Sequence, residues 1–419
     1  MLTSSSRINT PDGFSTLLGQ RPYLLFLSGR FFGTLATGSQ AVIIAWEVYE
    51  IARQTMSVAE ASFAVGMIGL VQFLPLFALT LVAGETADRH DRRRILTVCF
   101  TAQLLISTGL LGRAYFSGGL WPIFALSAMF GCARAFFQPA ASALGPMLVP
   151  RSLLPRAIAT NSLAAQLASI LGPALGGLLC AASPTIGYAV CVGLFATAAI
   201  CMLLIRADSR PPFEHGRSRV AQIREGLGYI WANQLVLGAI SLDLFAVLLG
   251  GATGLLPVFA RDILDVGPQG FGILRAAPAV GALVVAGYLA VHPIRSRAGA
   301  KMLLAVGLFG LMTVVFAFSR SFALSVVALA VLGGADMVSV FIRQSLIQIS
   351  TPDRMRGRVA AVSTLFIGAS NELGEFESGV TARFFGPIGA VAIGGAGAIL
   401  VTAVWVVLFP LLRKADRLG

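Results

Sequence analysis

The stretch Gly84-Glu85-Thr86-Ala87-Asp88-Arg89-His90-Asp91-Arg92-Arg93-Arg94 decides how the rest of the chain is read, because it packs charge densely between two long apolar segments. Residues 58–83 and 95–116 on either side are each long enough to cross a bilayer, which takes ~20 residues of helix. The charged run is therefore expected to be a tight loop at a membrane surface. Arg89, Arg92, Arg93 and Arg94 are costly to translocate, which puts the loop on the cytoplasmic side and orients every other segment.

Composition agrees. Hydrophobic residues make up 56% of the 419 and charged residues 12%, with a mean hydropathy of +0.83. A soluble globular chain carries roughly 25% charge. The sequence is that of a polytopic membrane protein, with length for a dozen spans and no large domain outside the bilayer. The net charge of +12 is spread over many loops rather than gathered on one face, which argues against nucleic acid. Lys301 and Lys414 are the only lysines, so no G-x-x-x-x-G-K-[ST] phosphate loop exists and ATP-driven pumping within this chain is excluded. Cys99, Cys132, Cys180, Cys191 and Cys201 all lie in apolar runs, and His90, His215 and His292 are scattered. Neither a disulfide nor a metal site is expected, and no cofactor.

Twelve apolar runs follow, near 23–47, 58–83, 95–116, 120–138, 158–182 and 184–205, then 234–257, 268–291, 301–319, 322–345, 358–382 and 386–412. The expected organisation is a tail over 1–22, a six-helix bundle over 23–205, a linker over 206–233, a second six-helix bundle over 234–412 and a tail over 413–419. Within the linker, Val220, Ile223, Leu227 and Ile230 recur at helical spacing, which suits an amphipathic helix on the inner surface. On this topology, Arg53, Arg113, Arg261, Arg320 and Arg383 fall in outer loops and Arg30, Arg134, Arg275 and Arg343 inside spans. The other 22 of the 31 basic residues fall on the side of residues 84–96 or in the tails, so both termini are expected in the cytoplasm.

An internal repeat links the two sets of spans. Gly69, Pro75 and Gly84 recur 203 residues on as Gly272, Pro278 and Gly287. Gly131, Pro150, Arg156, Gly172 and Gly177 recur 202 residues on as Gly333, Pro352, Arg358, Gly374 and Gly379. Two bundles related by a pseudo-twofold axis are expected, with any ligand at their interface. The second charged loop is degraded, since Val291 stands where Asp88 would be.

Charges inside spans cost ~3 kcal/mol or more at the bilayer centre, so each should face a wet cavity or an opposite charge. Arg30, Arg134, Asp243, Arg275, Asp336, Arg343, Glu372, Glu375 and Glu377 are such residues. Asn371, Glu372 and Glu375 share one side of the eleventh span, and Glu377 points away. A carboxylate removed from water favours its neutral form, so Glu375, Glu372, Asp243 and Asp336 are candidate proton carriers, with a structural ion pair as the competing reading. Arg30, Arg134, Arg275 and Asn371 are candidates for the substrate cavity. In the fifth span, Gly172-Pro173-Ala174-Leu175-Gly176-Gly177 joins close-packing glycines to a proline that favours a kink.

The charged stretch, as Gly84, Asp88-Arg89 and Arg92-Arg93, resembles the loop pattern G-x-x-x-D-R-x-x-R-R of the major facilitator superfamily. Asp91 stands where that family often has Gly. The resemblance implies a conformational latch formed by Gly84, Asp88, Arg89, Arg92 and Arg93. Residues Gly172, Pro173, Gly176 and Gly177 are similar to the G-P-x-x-G-G core of the superfamily's antiporters and exporters, with Ala159 and Ala168 at the upstream glycine positions. Phe137-Gln138-Pro139-Ala140, Leu256 to Arg261, Leu274 to Pro278, Arg356-Gly357-Arg358-Val359 and Ser370 to Glu375 resemble the superfamily branch that exports siderophores and drugs. The resemblance covers essentially the whole chain. It implies a secondary exporter, not an enzyme, monomeric in the cell inner membrane, exchanging a small organic molecule for protons by alternating access. Proton-symport uptake stays open as an alternative, as does a membrane enzyme or a scaffold. An enzyme should gather a nucleophile, a histidine and an acid at one face, and no such cluster is present.

Overall fold

The computed structural model describes residues 17, 19–116, 118–206, 219–292, 294 and 296–416. Most of the tail over 1–22, the linker residues 207–218, Arg295 in the second charged loop and the end of the last tail lie outside the described residues. The regular structure of those described is helical, with no strand among them. The first half of the chain forms α1 (Arg21–Ala52), α2 (Val58–Arg89), α3 (Arg92–Tyr115), α4 (Leu120–Met147), α5 (Leu154–Ala182) and α6 (Pro184–Leu204). Next come α7 (Arg219–Ala232), α8 (Gln234–Leu249), α9 (Gly267–Val291), α10 (Ala298–Phe318), α11 (Phe322–Ser350), α12 (Asp353–Leu408) and the short α13 (Pro410–Lys414). Helical turns over Ala252–Leu255, Leu256–Val258 and Phe259–Ile263 extend α8. Ten helices among the described residues are long and apolar enough to cross a membrane. The chain is a multi-pass membrane protein.

The helices run further than the apolar runs suggest, because charged side chains at a helix end can reach solvent while the backbone stays helical. Hence the charged stretch is mostly helix rather than loop: α2 continues to Arg89 and α3 starts at Arg92. Asp91 makes this short turn workable, since its carboxylate accepts from the Arg93 amide as the N-cap of α3. The runs expected as the eleventh and twelfth spans are joined in α12, which bends at Gly386. There φ is 74° and ψ 164°, a region open essentially to glycine alone, and Pro387 follows.

The pattern of helix packing repeats along the chain. α1 packs on α5 and α6, α2 on α4, and α3 on α4 and α6. Correspondingly, α8 packs on α12, α9 on α11, and α10 on α11 and α12. The two most extensive contacts between the sets are α2 with α12 and α5 with α9, and they exchange under the repeat. The repeated glycines sit at the matching crossings. Gly172 meets the α1 backbone near Leu35 and Gly38, as Gly374 meets the α8 backbone near Val247 and Leu248. Gly131 lies against Gln72 of α2, as Gly333 lies against Pro278 of α9.

Part of the linker is helical, as α7, and its described apolar side chains meet protein. Ile223, Leu227 and Ile230 of α7 pack with Val236, Ile240 and Val359 of α8 and α12, on protein rather than on a lipid surface. Glu225 pairs with Arg358 at 2.6 Å and the Tyr229 hydroxyl donates to the Ser350 carbonyl, which fixes α7 to the end of α11 and the start of α12.

Candidate functional site

The seam between the two sets of helices is built on glycine, because two helix backbones approach this closely only where no Cβ intervenes. On one side Gly177 of α5 lies against Gly272 of α9, so that a Cβ on either would strike the other's backbone. On the other side Gly66 and Gly69 of α2 lie against Gly379, Glu372 and Glu375 of α12; a Cβ at Gly66 would stand 2.7 Å from the Gly379 Cα. The glycine and proline of the exporter-like segment serve the same packing. Pro173 and Gly172 press on Gly38, and Ser39 Oγ donates to the Gly172 carbonyl at 2.8 Å.

Close backbones bring the intramembrane charges together. Arg134 of α4 reaches across the seam to Glu372 of α12, Nη1 to Oε1 at 2.6 Å, and the same nitrogen donates to Gln72 Oε1 of α2 at 3.0 Å. One turn along α12, Glu375 faces Arg275 of α9 at 3.9 Å, and Arg275 also donates to the Thr253 carbonyl at 2.9 Å. The seam thus holds two guanidinium groups against two carboxylates. These charges cancel with every group ionised. Glu377 turns away, as the helix spacing implies, and accepts from Thr381 at 2.7 Å. Asn371 is exposed.

The remaining sequence candidates lie elsewhere. Arg30 of α1 donates to Asn161 Oδ1 of α5 at 3.2 Å, and no carboxylate pairs with it among the described residues. Asp243 of α8 and Arg343 of α11 form a buried ion pair within the second half, with Asp336 on α11 beside it. Of the residues proposed as a latch, Arg92 donates to the Ala87 carbonyl and Met147 Sδ, and Arg93 donates to the Ile205 carbonyl. These bonds bind the α2–α3 turn to α4 and to the end of α6, all within the first half. Arg89 pairs with Glu85 at 2.6 Å on the surface, Asp88 is exposed, and Gly84 is buried.

Sequence reasoning missed two clusters. Glu47 of α1 binds Arg113 of α3 at 2.6 Å and accepts from the Tyr188 hydroxyl of α6 at 2.7 Å, with side-chain exposures of 10% and 7% for the ion pair. Arg113 is therefore a buried residue of a span and not part of an outer loop. The second cluster bridges the halves at the C-terminal end of α1. Tyr49 and Arg53 bind Asp262, with Arg53 Nη2 at 3.3 Å from Oδ1, and Glu50 pairs with Arg261 at 3.3 Å. The hydrogen bond to Asp262 pushes the Arg53 guanidinium above its ordinary pKa, so it stays charged at any cellular pH. Trp46 stacks on Phe271 at 5.2 Å and Arg383 lies 5.0 Å from the Phe63 ring centre, which adds two more bridges. The signal available was acidic Glu47 and Glu50 one turn apart at the end of an otherwise apolar run.

Comparison with known proteins accords with this architecture. The family profile described as transmembrane secretion effector matches residues 25–418, nearly the whole chain. The chain belongs to the transmembrane secretion effector family. This secretion effector is a transporter of the major facilitator type. It is 26% identical over 404 residues to the enterobactin exporter EntS of Escherichia coli O139:H28, covering 92% of this chain and 91% of that one, and EntS of Shigella boydii serotype 18 gives the same figures. Among solved structures it is similar to a bacterial homologue of the human lysosomal transporter Spinster, inward-facing and unoccupied. That match has a TM-score of 0.70 and 13% identity, covering 94% of this chain and 96% of the other. A POT family transporter in complex with 5-aminolevulinic acid gives 0.72 and 12%, with 94% and 97% covered. These likenesses establish the fold. The relatives and neighbours are transporters, not enzymes.

Proposed function

We propose that this secretion effector is a proton-coupled exporter of a small organic molecule, a siderophore or drug-like compound, which works by alternating access. The twelve crossings comprise ten apolar helices, α1, and a second crossing gained by counting α12 as two arms about Gly386, with both termini in the cytoplasm. Residues 23–205 and 234–412 form the two moving bundles, and the protein acts as a monomer.

The observation that carries this reading is the Arg134–Glu372 ion pair, which joins the two halves inside the bilayer beside glycine crossings with no side chains to interlock. Such a pair can break and re-form as the halves rock, while the glycine contacts act as pivots. The bridges around Arg53 and Asp262 hold the two halves together at the end opposite the α2–α3 turn, so the outer end is closed here. Arg30, a cation without an anionic partner among the described residues, attracts an acidic group of the cargo, and Arg134 and Arg275 meet the cargo at the seam when their pairs open. Asp88 engages the other half when the cytoplasmic end closes. Export rather than uptake follows from the similarity to EntS and from the Gly172 to Gly177 segment.

The test is flux of enterobactin as probe in proteoliposomes with an imposed pH gradient. Uphill movement against the direction of proton flow is expected, and it collapses when the gradient is dissipated. Flux indifferent to the gradient refutes the coupling, and accumulation in the same direction as the protons favours symport uptake.

A further inference from the structure

The second half holds a group of polar side chains that the seam does not use. Asp336, Ser339 and Arg343 follow at spacings of three and four on α11, so they share one face, and that face meets Asp243 of α8. The Asp243–Arg343 pair is buried, with side-chain exposures of 8% and 4%. Asp243, Asp336 and Ser339 line one small cavity with Ala246, Val306 and Phe309. Ser339 is only 2% exposed, yet its Oγ has no hydrogen-bond partner, and Arg343 Nε has none either. Native interiors leave few such groups unsatisfied, and the cavity beside Ser339 and Asp336 has room for about one water.

The charges of this group do not cancel. Asp243 and Arg343 neutralise each other, and an ionised Asp336 leaves one negative charge inside the bilayer. The charged groups facing it are few. Asp243 comes from α8 and is taken by Arg343, the cation on its own helix. From α9 the nearest cation by the repeat is Arg275, which stands at the position of Gln72 and whose donors go to Thr253 and Glu375. α10 brings Val306 and Phe309 to the cavity and no charge. Of the four acids that the sequence marks as proton carriers, Glu372, Glu375 and Asp243 each face an arginine, and Asp336 faces none among the described residues. Under the repeat Asp336 stands where the first half has Arg134, so the second half carries an acid at the position that closes the seam in the first.

We infer that Asp336 carries the coupled proton, in a small polar pocket inside the second half and apart from the seam, with the Asp243–Arg343 pair fixing the charge around it. Taking up a proton makes the whole pocket neutral, and releasing it to the opposite side restores the charge. The Arg134–Glu372 and Arg275–Glu375 groups need no proton to be neutral and are left to the cargo and to the motion of the halves. This assignment rests on the proton-coupled reading above.

Two measurements on the full chain in liposomes test it. The first follows the carbonyl stretch of protonated carboxyl groups by infrared difference spectroscopy as pH is lowered, which needs no cargo. The wild type is expected to show a band that Asp336→Asn removes and Asp336→Glu keeps, shifted. A band that survives Asp336→Asn unchanged overturns the assignment. The second compares gradient-driven flux of enterobactin with counterflow at equal pH. Asp336→Asn is expected to lose driven flux by on the order of tenfold or more while keeping counterflow near the wild-type rate, and Asp336→Glu is expected to restore driven flux. Driven flux intact in Asp336→Asn overturns the assignment alone. Wild-type flux that ignores the gradient instead removes the coupled reading on which it rests. Loss of counterflow in both variants makes Asp336 a structural residue and also overturns it.

Discussion

Replacing Arg113 with Leu is expected to lower the stability of the folded protein by about 3–5 kcal/mol, because Glu47 is left as a buried charge without its partner. The guanidinium and carboxylate are 2.6 Å apart at the meeting of α1, α3 and α6, and the Tyr188 hydroxyl satisfies only the second oxygen of Glu47. An exposed pair of the same geometry would contribute about 1 kcal/mol or less. The double variant Arg113→Leu with Glu47→Gln removes both charges and keeps an acceptor for Tyr188, so it is expected to regain most of the loss. Thermal unfolding in detergent micelles can be read from labelling of Cys99, Cys180 and Cys191, whose thiols are buried and become reactive only as the helices separate. A single variant that melts with the wild type would mean that water reaches Glu47.

The second large effect is expected at the seam. Gly177→Ala places a methyl group against the backbone of Gly272, and two backbones cannot rotate away as a side chain can. Overpacking of this kind costs about 1–3 kcal/mol, and Gly177→Leu is expected to abolish transport by wedging α5 from α9. Gly193→Ala on α6 is the control, since a Cβ there meets nothing within 4 Å. Equal transport by Gly177→Ala, Gly177→Leu and Gly193→Ala would contradict the close seam. If Gly177→Leu fails to insert, reduced flux by correctly inserted Gly177→Ala carries the same test.

What was legible in the sequence divides along physical lines. The all-helical membrane fold and the superfamily could be read because apolar run length, loop charge and the spacing of repeated glycines are each set locally. Gly172 and Gly374 are examples: their equivalence in the sequence reappears as equivalent crossings with α1 and α8. Partnerships were not legible, since helix spacing gives the side on which Glu372 lies but not that Arg134 is opposite. Charges near helix ends misled most. Arg53, Arg113 and Arg261 read as outer-loop residues, yet each is paired, Arg113 in the interior and the other two across the halves. Hydropathy cannot distinguish an arginine facing water from one facing a glutamate on another helix. The break at Gly386 falls at the expected boundary between the runs 358–382 and 386–412, but the left-handed φ that makes it leaves no trace in composition.

The most direct test of alternating access about this seam is the distance between spin labels at both ends of the molecule. One pair, at Thr55 and Asp265, reports the end held by Arg53 and Asp262; the other, at His90 and Gly357, reports the end of the α2–α3 turn. When the distribution shifts between states, with enterobactin or a change of pH, one pair should lengthen as the other shortens, and Arg53→Ala with Asp262→Ala should lengthen the first pair without ligand. Two pairs that stay fixed, or that lengthen together, would contradict the account.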